Sequence, residues 1–387
     1  MTLNVRDFGA RGDGVADDSS AIQAAIDAAT GTNDPAAGSR YPSAPLYLPT
    51  GTYRCTRTLR IRSVQGFYLF GDGPEATVLR AASEVNLDSL LEIDGAANGI
   101  FSRFGLQTSA TGSEYVDKML FLRWSPAAAR STSNNNFQNV NIGGGRFRTA
   151  FAIGTDDGTR QCDGSIFQDC LVTGDVTQQW DLADVNLCQN GWEIGDGTHG
   201  NNIDHYLYGC SWASVRVGIR LNASNAFVYG SQPGGSLVDV LITGSAHPTV
   251  IDGMRSEQSQ KLLEHGGGAA DSHVTLRNIN WNAVGMQASD TRWIRHNTSG
   301  ALYLENVVCE NEPTGLVPTI SIDSAGGNPV SCMANCVASS SPVEQAFSLG
   351  PGASLVVANY HQRNPDTTIA KITSFRVIRE NHVQLEA

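Results

Sequence analysis

Between residues 150 and 222 the chain gathers its most reactive side chains: Asp156, Asp157, Asp163, Trp180, Asp181, Asp184, Trp192, Glu193, Asp196, His199, Asp204, His205 and Arg220. No other stretch concentrates acids, histidine and tryptophan in this way. Two carboxyl groups held close together take different roles, because each opposes ionisation of the other and their pKa values separate. One keeps a proton for a leaving oxygen, and the other, ionised, activates water or attacks carbon. That division is what cleavage of a glycosidic bond requires. Indole faces suit sugar rings, offering apolar area with a polar edge. The same acids also read as Asx turns and ordinary surface charge.

Such chemistry needs a rigid row of strands beneath it. A six-residue phrase recurs: an apolar residue, a variable one, then Asn, Asp or Gly, then an alternation that begins apolar. It reads Phe137-Gln-Asn139-Val-Asn-Ile142, Phe167-Gln-Asp169-Cys-Leu-Val172, Leu207-Tyr-Gly209-Cys-Ser-Trp212 and Leu237-Val-Asp239-Val-Leu-Ile242. It continues at Leu276, Leu304 and Met333, and successive first positions lie 30, 40, 30, 39, 28 and 29 residues apart. A period in that range marks stacked repeats. Asn, Asp and Gly tolerate a left-handed backbone, so the third position predicts a bend between two short strands. Two strands and a bend every ~30 residues make a coil of parallel β-helix rather than a leucine-rich repeat or a propeller blade.

A second strand recurs after each bend: Ala150-Phe-Ala-Ile-Gly154, Gly191-Trp-Glu-Ile-Gly195, Gly218-Ile-Arg-Leu-Asn222 and, less regularly, Thr249-Val-Ile-Asp-Gly253. With the larger apolar residues inward, Ala152, Glu193 and Arg220 fall on one external face, which sets Glu193 near Arg220. An exposed ion pair is the plain reading of those two. Regularity breaks at 167–207, where Leu182-Ala-Asp184-Val-Asn-Leu187 repeats the phrase too soon. It breaks again at 242–276, where Met254–Ala270 reads as a loop insertion.

Composition narrows the classes. A solenoid grows by adding coils, so 387 residues fit one domain: a cap and loop over 1–45, coils over 46–360 and a closing segment over 361–387. A net charge of −12 and only three lysines, Lys118, Lys261 and Lys371, argue against nucleic acid and anionic membranes as partners. No apolar run reaches the ~18 residues of a membrane span. The eight cysteines include Cys170, Cys210 and Cys336 just after bends, where other coils carry Val or Ile. They read as buried hydrophobes. No CxxC pair occurs, and neither a metal nor another cofactor is expected.

The opening, Asn4-Val-Arg-Asp-Phe-Gly-Ala-Arg-Gly-Asp-Gly-Val-Ala-Asp-Asp-Ser-Ser-Ala-Ile-Gln-Ala-Ala-Ile-Asp27, is the most specific stretch. It resembles the start of the pectate-lyase-like superfamily of right-handed parallel β-helices, which includes proteins related to glycoside hydrolase family 28 and phage tailspikes. Pro45-Leu-Tyr-Leu-Pro-Thr-Gly-Thr-Tyr53 and Phe67-Tyr-Leu-Phe-Gly-Asp-Gly-Pro-Glu-Ala-Thr-Val-Leu79 continue the likeness. The resemblance implies an all-β solenoid with an N-terminal capping helix. Ile22, Ala25, Ile26 and Ala29 give that helix one apolar face, and Ser20 with Gln23 reads as a capping box. Asp7, Asp13, Asp17 and Asp18, among glycines, read as turn formers.

Within that group the middle of the chain is similar to polygalacturonases, which place Asn-Thr-Asp, Asp-Asp, Gly-His-Gly and Arg-Ile-Lys on neighbouring coils. Here stand Gly154-Thr-Asp-Asp157, Trp180-Asp181 with Asp184, Gly197-Thr-His-Gly200 and Gly218-Ile-Arg-Leu-Asn222. The resemblance implies Asp157, Asp181 and Asp184 as acid and base, His199 as their orienting group, and Arg220 as a sugar ligand. The first Asn is missing, the Asp pair is split, a Thr precedes His199, and Asn222 replaces Lys. By type and position Glu193 joins the catalytic candidates, and Trp180, Trp192 and His205 the substrate-binding ones. The expected function is a polysaccharide-degrading glycoside hydrolase with paired carboxylates in a groove. The alternatives are a lyase working by β-elimination, or a glycan-binding tailspike or adhesin, for which a homotrimer is the usual assembly. No classical signal peptide is seen at the start. The expected location is extracellular or virion-associated.

Overall fold

A left-handed residue in each of several coils turns the chain between the two strands of the repeated phrase. Asn139, Asp169, Gly209, Asn278 and Asn306 all have φ between 52° and 61°, at the third position of the repeated phrase. At Gly209 a side chain is excluded twice over, since a Cβ would lie 2.6 Å from the Asp169 carboxylate. The computed structural model describes residues 2–387 apart from 32–40, 111–113, 156–159, 175–187, 198–201, 245–246, 267–271, 283–292, 311–319, 324–329, 335, 339–346, 350–353, 359–360, 364–368, 372–375, 380–381 and 386–387. Two units divide the chain at Arg216 and Val217.

In the first unit two parallel ladders run side by side. The bend ladder includes Ile100–Thr108, Asn136–Gly143, Ile166–Gln168 with Leu171–Thr173, and His205–Tyr208 with Ser211–Ala213. The return ladder comprises Leu59–Arg62, Leu87–Asp94, Val116–Trp124, Phe147–Thr155 and Asn190–Ile194. Register repeats from coil to coil, so like side chains stack. Phe101, Phe137 and Phe167 lie face to face with centroids 5.0 Å apart at each step. The fold is a right-handed parallel β-helix, the hand that parallel crossovers take. Phe167 pairs directly with Leu207, and the phrase at 182–187 lies outside the described residues.

The second unit has the same two kinds of ladder, with one exchange against the sequence reading. Val238–Thr243 belongs to the return ladder, between Val217–Asn222 and Lys261–Gly266. Asp239 therefore makes no bend; its buried carboxylate accepts from Ser256 and Ser259 Oγ. Thr249–Asp252 and Arg255–Glu257 instead flank a bend at Gly253, and Ala226–Tyr229 and Gln232–Gly234 flank one at Gly230. Of the stretch Met254–Ala270, read as a loop insertion, residues 254–266 are none, since they supply strands to both ladders; the remainder lies outside the described residues. These coils are shorter, and a thirty-residue template fails on them. At the end, Ser354–Ala358 pairs antiparallel with Arg376–Arg379, and His361–Arg363 with Ile369–Lys371.

Helix α1, Ser19–Thr30, buries Ile22, Ala25, Ile26 and Ala29 as its periodicity predicts. The capping box does not form. Asp17 receives Ser19 N–H at 3.1 Å, and the Gln23 side chain turns to the first return strand. Its Nε2 donates to Arg60 O at 2.9 Å and its Oε1 accepts from Arg60 N at 2.8 Å. One amide thus completes a ladder edge that would otherwise leave backbone groups unpaired. Asp13, Asp17 and Asp18 of the opening are turn formers, as expected. Asp18 accepts from Arg11 and Gly12 N–H, and Asp13 from Val15 and Ala16. Among the described residues no cysteine forms a disulfide, and Cys170, Cys210 and Cys336 are buried.

Candidate active site

Side chains at the outward positions of the first unit's return ladder form a row: Arg60, Glu92, Phe121, Ala152 and Glu193 are register partners in turn. Ala152 and Glu193 stand where alternation puts them, although Ala152 is only 3% exposed. Glu193 is half-buried, and its Oε2 accepts from Thr149 Oγ1 at 2.9 Å and Asn190 Nδ2 at 3.1 Å. Thr149 and Asn190 are themselves buried, so they fix the carboxylate against the sheet. Glu92 is nearly enclosed and faces Arg60, Arg62 and Arg123 at 3.4, 3.5 and 3.7 Å. Phe121 lies between Lys118 and Arg123, whose charges sit 5.1 and 5.6 Å from its ring centre. An aromatic flanked by cations is a platform for a polar ring, with cation–π attraction holding the flanks in place.

Beyond the C-terminal ends of these strands the chain turns at a second set of left-handed residues. Asn98, Asn134, Gly164 and Asp204 each precede a bend residue by five positions, at Arg103, Asn139, Asp169 and Gly209. They stack through backbone bonds, Asn134 N–H to Asp163 O at 3.0 Å and Gly164 N–H to Ile203 O at 3.1 Å. Asp163 and Asp204 are thereby carried on adjacent coils. Asp163 is half-buried, and burial first, then the charge of Asp204, push its pKa above the ordinary carboxylate value. Asp204 is exposed. Nearby, Asp94 accepts from Ser125 N–H and Oγ, and the Arg160 guanidinium lies 5.9 Å from the Trp124 ring centre.

Two sequence assignments fail on burial. Trp192 is wholly enclosed and stacks on Phe151 at 4.9 Å, so its face is committed to the core. Its strand points alternate residues inward, and Trp192 is an inward one. His205 is also fully buried, donating Nε2–H to Cys162 O at 2.8 Å. Burial drives its pKa down to about 4, which keeps it neutral, and it is a framework residue in this structure. Arg220 is half-buried on Val217–Asn222, opposite Leu241, in the second unit. Asp157, Trp180, Asp181, Asp184 and His199 lie outside the described residues. Sequence reasoning passed over Phe121 and the arginines about Glu92, because nothing in a local window marks their convergence. Asp163 and Asp204 had a usable signal in the left-handed position five residues before each bend.

The model of one family matches residues 2–220: rhamnogalacturonase A/epimerase, pectate lyase-like. The chain belongs to that family. Among curated relatives, mannuronan C5-epimerase AlgE5 of Azotobacter vinelandii is 39% identical over 113 residues, 27% of this chain and 10% of its own length. A probable glucan endo-1,3-β-glucosidase of Arthroderma benhamiae is 28% identical over 168 residues, 40% of this chain and 19% of its own. The chain thus spans a small part of these relatives. Among solved structures, the tailspike gp42 of Acinetobacter phage vb_AbaP_AS12 is similar with a TM-score of 0.60 and 10% identity, covering 96% of this chain and 64% of that one. The Agl-KA catalytic domain gives 0.51 and 14%, covering 92% and 68%. At such identities these likenesses bear on the fold alone.

Proposed function

We propose that the chain is a polysaccharide-acting enzyme, and that the acid pair Asp163 and Asp204 performs proton transfer on the turns that lead into the bend ladder. The observation that carries this is the contrast between the two carboxyls. Asp163 holds its proton more tightly through burial and a like-charged neighbour, while Asp204 stands in solvent. A glycosidase needs that asymmetry: the protonated group donates to the leaving oxygen and the other acts on water or carbon. The half-buried Phe121 and Glu193 of the row offer an aromatic and a polar contact for a glycan. The names of the relatives, an epimerase of mannuronan and a glucosidase of glucan, support a polysaccharide as partner. Hydrolysis is the finer reading. Asp157, Asp181, Asp184, Glu193 and His199 complete the catalytic set proposed.

The test is a polysaccharide panel of rhamnogalacturonan, mannuronan and α- and β-1,3-glucans, scored for new reducing ends and for absorbance of unsaturated products. Reducing ends without the absorbance support hydrolysis. Absorbance marks β-elimination and overturns it. Asp-to-Asn variants at 157, 163, 181, 184 and 204 then assign the roles.

A further inference from the structure

Three arginines converge where helix α1 meets the first return strand. Arg57, Arg60 and Arg62 line a recess of ≈ 380 Å³ whose opposite wall includes Ser20, Gln23 and Asp27. The whole chain carries 38 acids against 26 lysines and arginines, so a local excess of guanidinium stands out. Glu92 accounts for part of it. Its contacts with Arg60 and Arg62, at 3.4 and 3.5 Å, are longer than the ~2.7–2.9 Å of a strong charge-assisted bond. One carboxylate is being shared among several forks, and the Arg62 Nε, a buried donor, has no hydrogen-bond partner. The polar groups of the opposite wall are engaged: Gln23 with the Arg60 backbone and Asp27, and Ser20 Oγ with Arg57.

We propose that this recess binds a carboxylate or sulfate group borne on a sugar ring. A guanidinium fork presents paired N–H donors at the spacing of two oxyanion oxygens, which favours such a group over a neutral hydroxyl. The volume falls in the range that holds a small ligand, about 300–1,000 Å³, which suits one sugar unit. Arg60 also begins the outward row that leads through Glu92 to Phe121, so a ring held here continues onto the aromatic platform. The assignment rests on the reading of the chain as polysaccharide-acting, and names the chemistry of one unit of the glycan.

Isothermal titration calorimetry on the intact chain at low ionic strength tests it, with glucuronate, glucose and inorganic sulfate as probes. Glucuronate should bind and glucose should not. Arg57→Ala, at an exposed position, and Arg62→Gln should each weaken glucuronate about tenfold or more. The proposal is overturned if glucuronate gives no binding, if both variants bind it as wild type does, or if glucose binds equally well. Sulfate binding without glucuronate marks a free-ion site and also overturns it. Neither Asp163 nor Asp204 lines the recess, so retained turnover of a neutral glucan alongside failed glucuronate binding would sink this inference alone.

Discussion

Asp163 and Asp204, on adjacent coils, set one carboxyl group half-buried and the other in solvent. A group that must donate a proton is active below its pKa, so activity falls as pH rises past the raised Asp163 value. Removing the neighbouring negative charge makes ionisation of Asp163 easier. The Asp204→Asn variant should therefore lose activity at a lower pH than wild type on the alkaline limb, in addition to any loss of rate. An alkaline limb that stays put would show that Asp163 does not govern it. A pH–rate profile of kcat/KM measures this. At Glu193 the ties to Thr149 and Asn190 predict a smaller effect: Thr149→Val should cost about 1–3 kcal/mol by leaving buried polar groups short of a partner, read by denaturant melting.

The stacked strands derive much of their strength from repeated side chains. Phe137 lies between Phe101 and Phe167 with no exposure, so Phe137→Ala should cost about 3–5 kcal/mol in chemical denaturation. A cost under 1 kcal/mol would mean that the stack collapses freely around the gap. Much of this level was legible in the sequence. The bend residues, the buried cysteines and the apolar face of α1 follow from residue type and period alone. What was not legible came from competition between equally good local patterns. Leu237–Ile242 fits the bend phrase as well as Thr249–Gly253 does, and coil length in the second unit decided between them. The Gln23 amide likewise satisfies a helix end or a strand edge on paper, and the unpaired backbone of Arg60 won it. For the site, type and spacing picked out a region; burial then withdrew Trp192 and His205, and the alternation that sets Glu193 outward already turned Trp192 into the core.

Across the whole chain, buried histidines set a pH limit. His205 lies in the first unit, and His265 and His296 pack together in the second with Nδ1 atoms 3.2 Å apart. His296 donates Nε2–H to Gly300 O at 2.8 Å, so its Nδ1 accepts the Nδ1–H of His265. Burial lowers the pKa of His205 and His296 to about 4 and that of His265 to about 3. Because the folded values lie below the ordinary ~6.5, the unfolded chain binds these protons first. Stability is thus full above about pH 6.5 and declines as pH falls towards 4 and 3. Denaturant midpoints at pH 7, 5.5 and 4.5 should fall in that order, and equal midpoints would contradict the assignment. The central claim is proton transfer by the acid pair, and its most direct test is turnover of the best panel polysaccharide by Asp163→Asn, in protein whose melting matches wild type. The account predicts a loss of about 10²–10⁴-fold in kcat, the range general acid catalysis supplies. Turnover within a factor of two of wild type would contradict it.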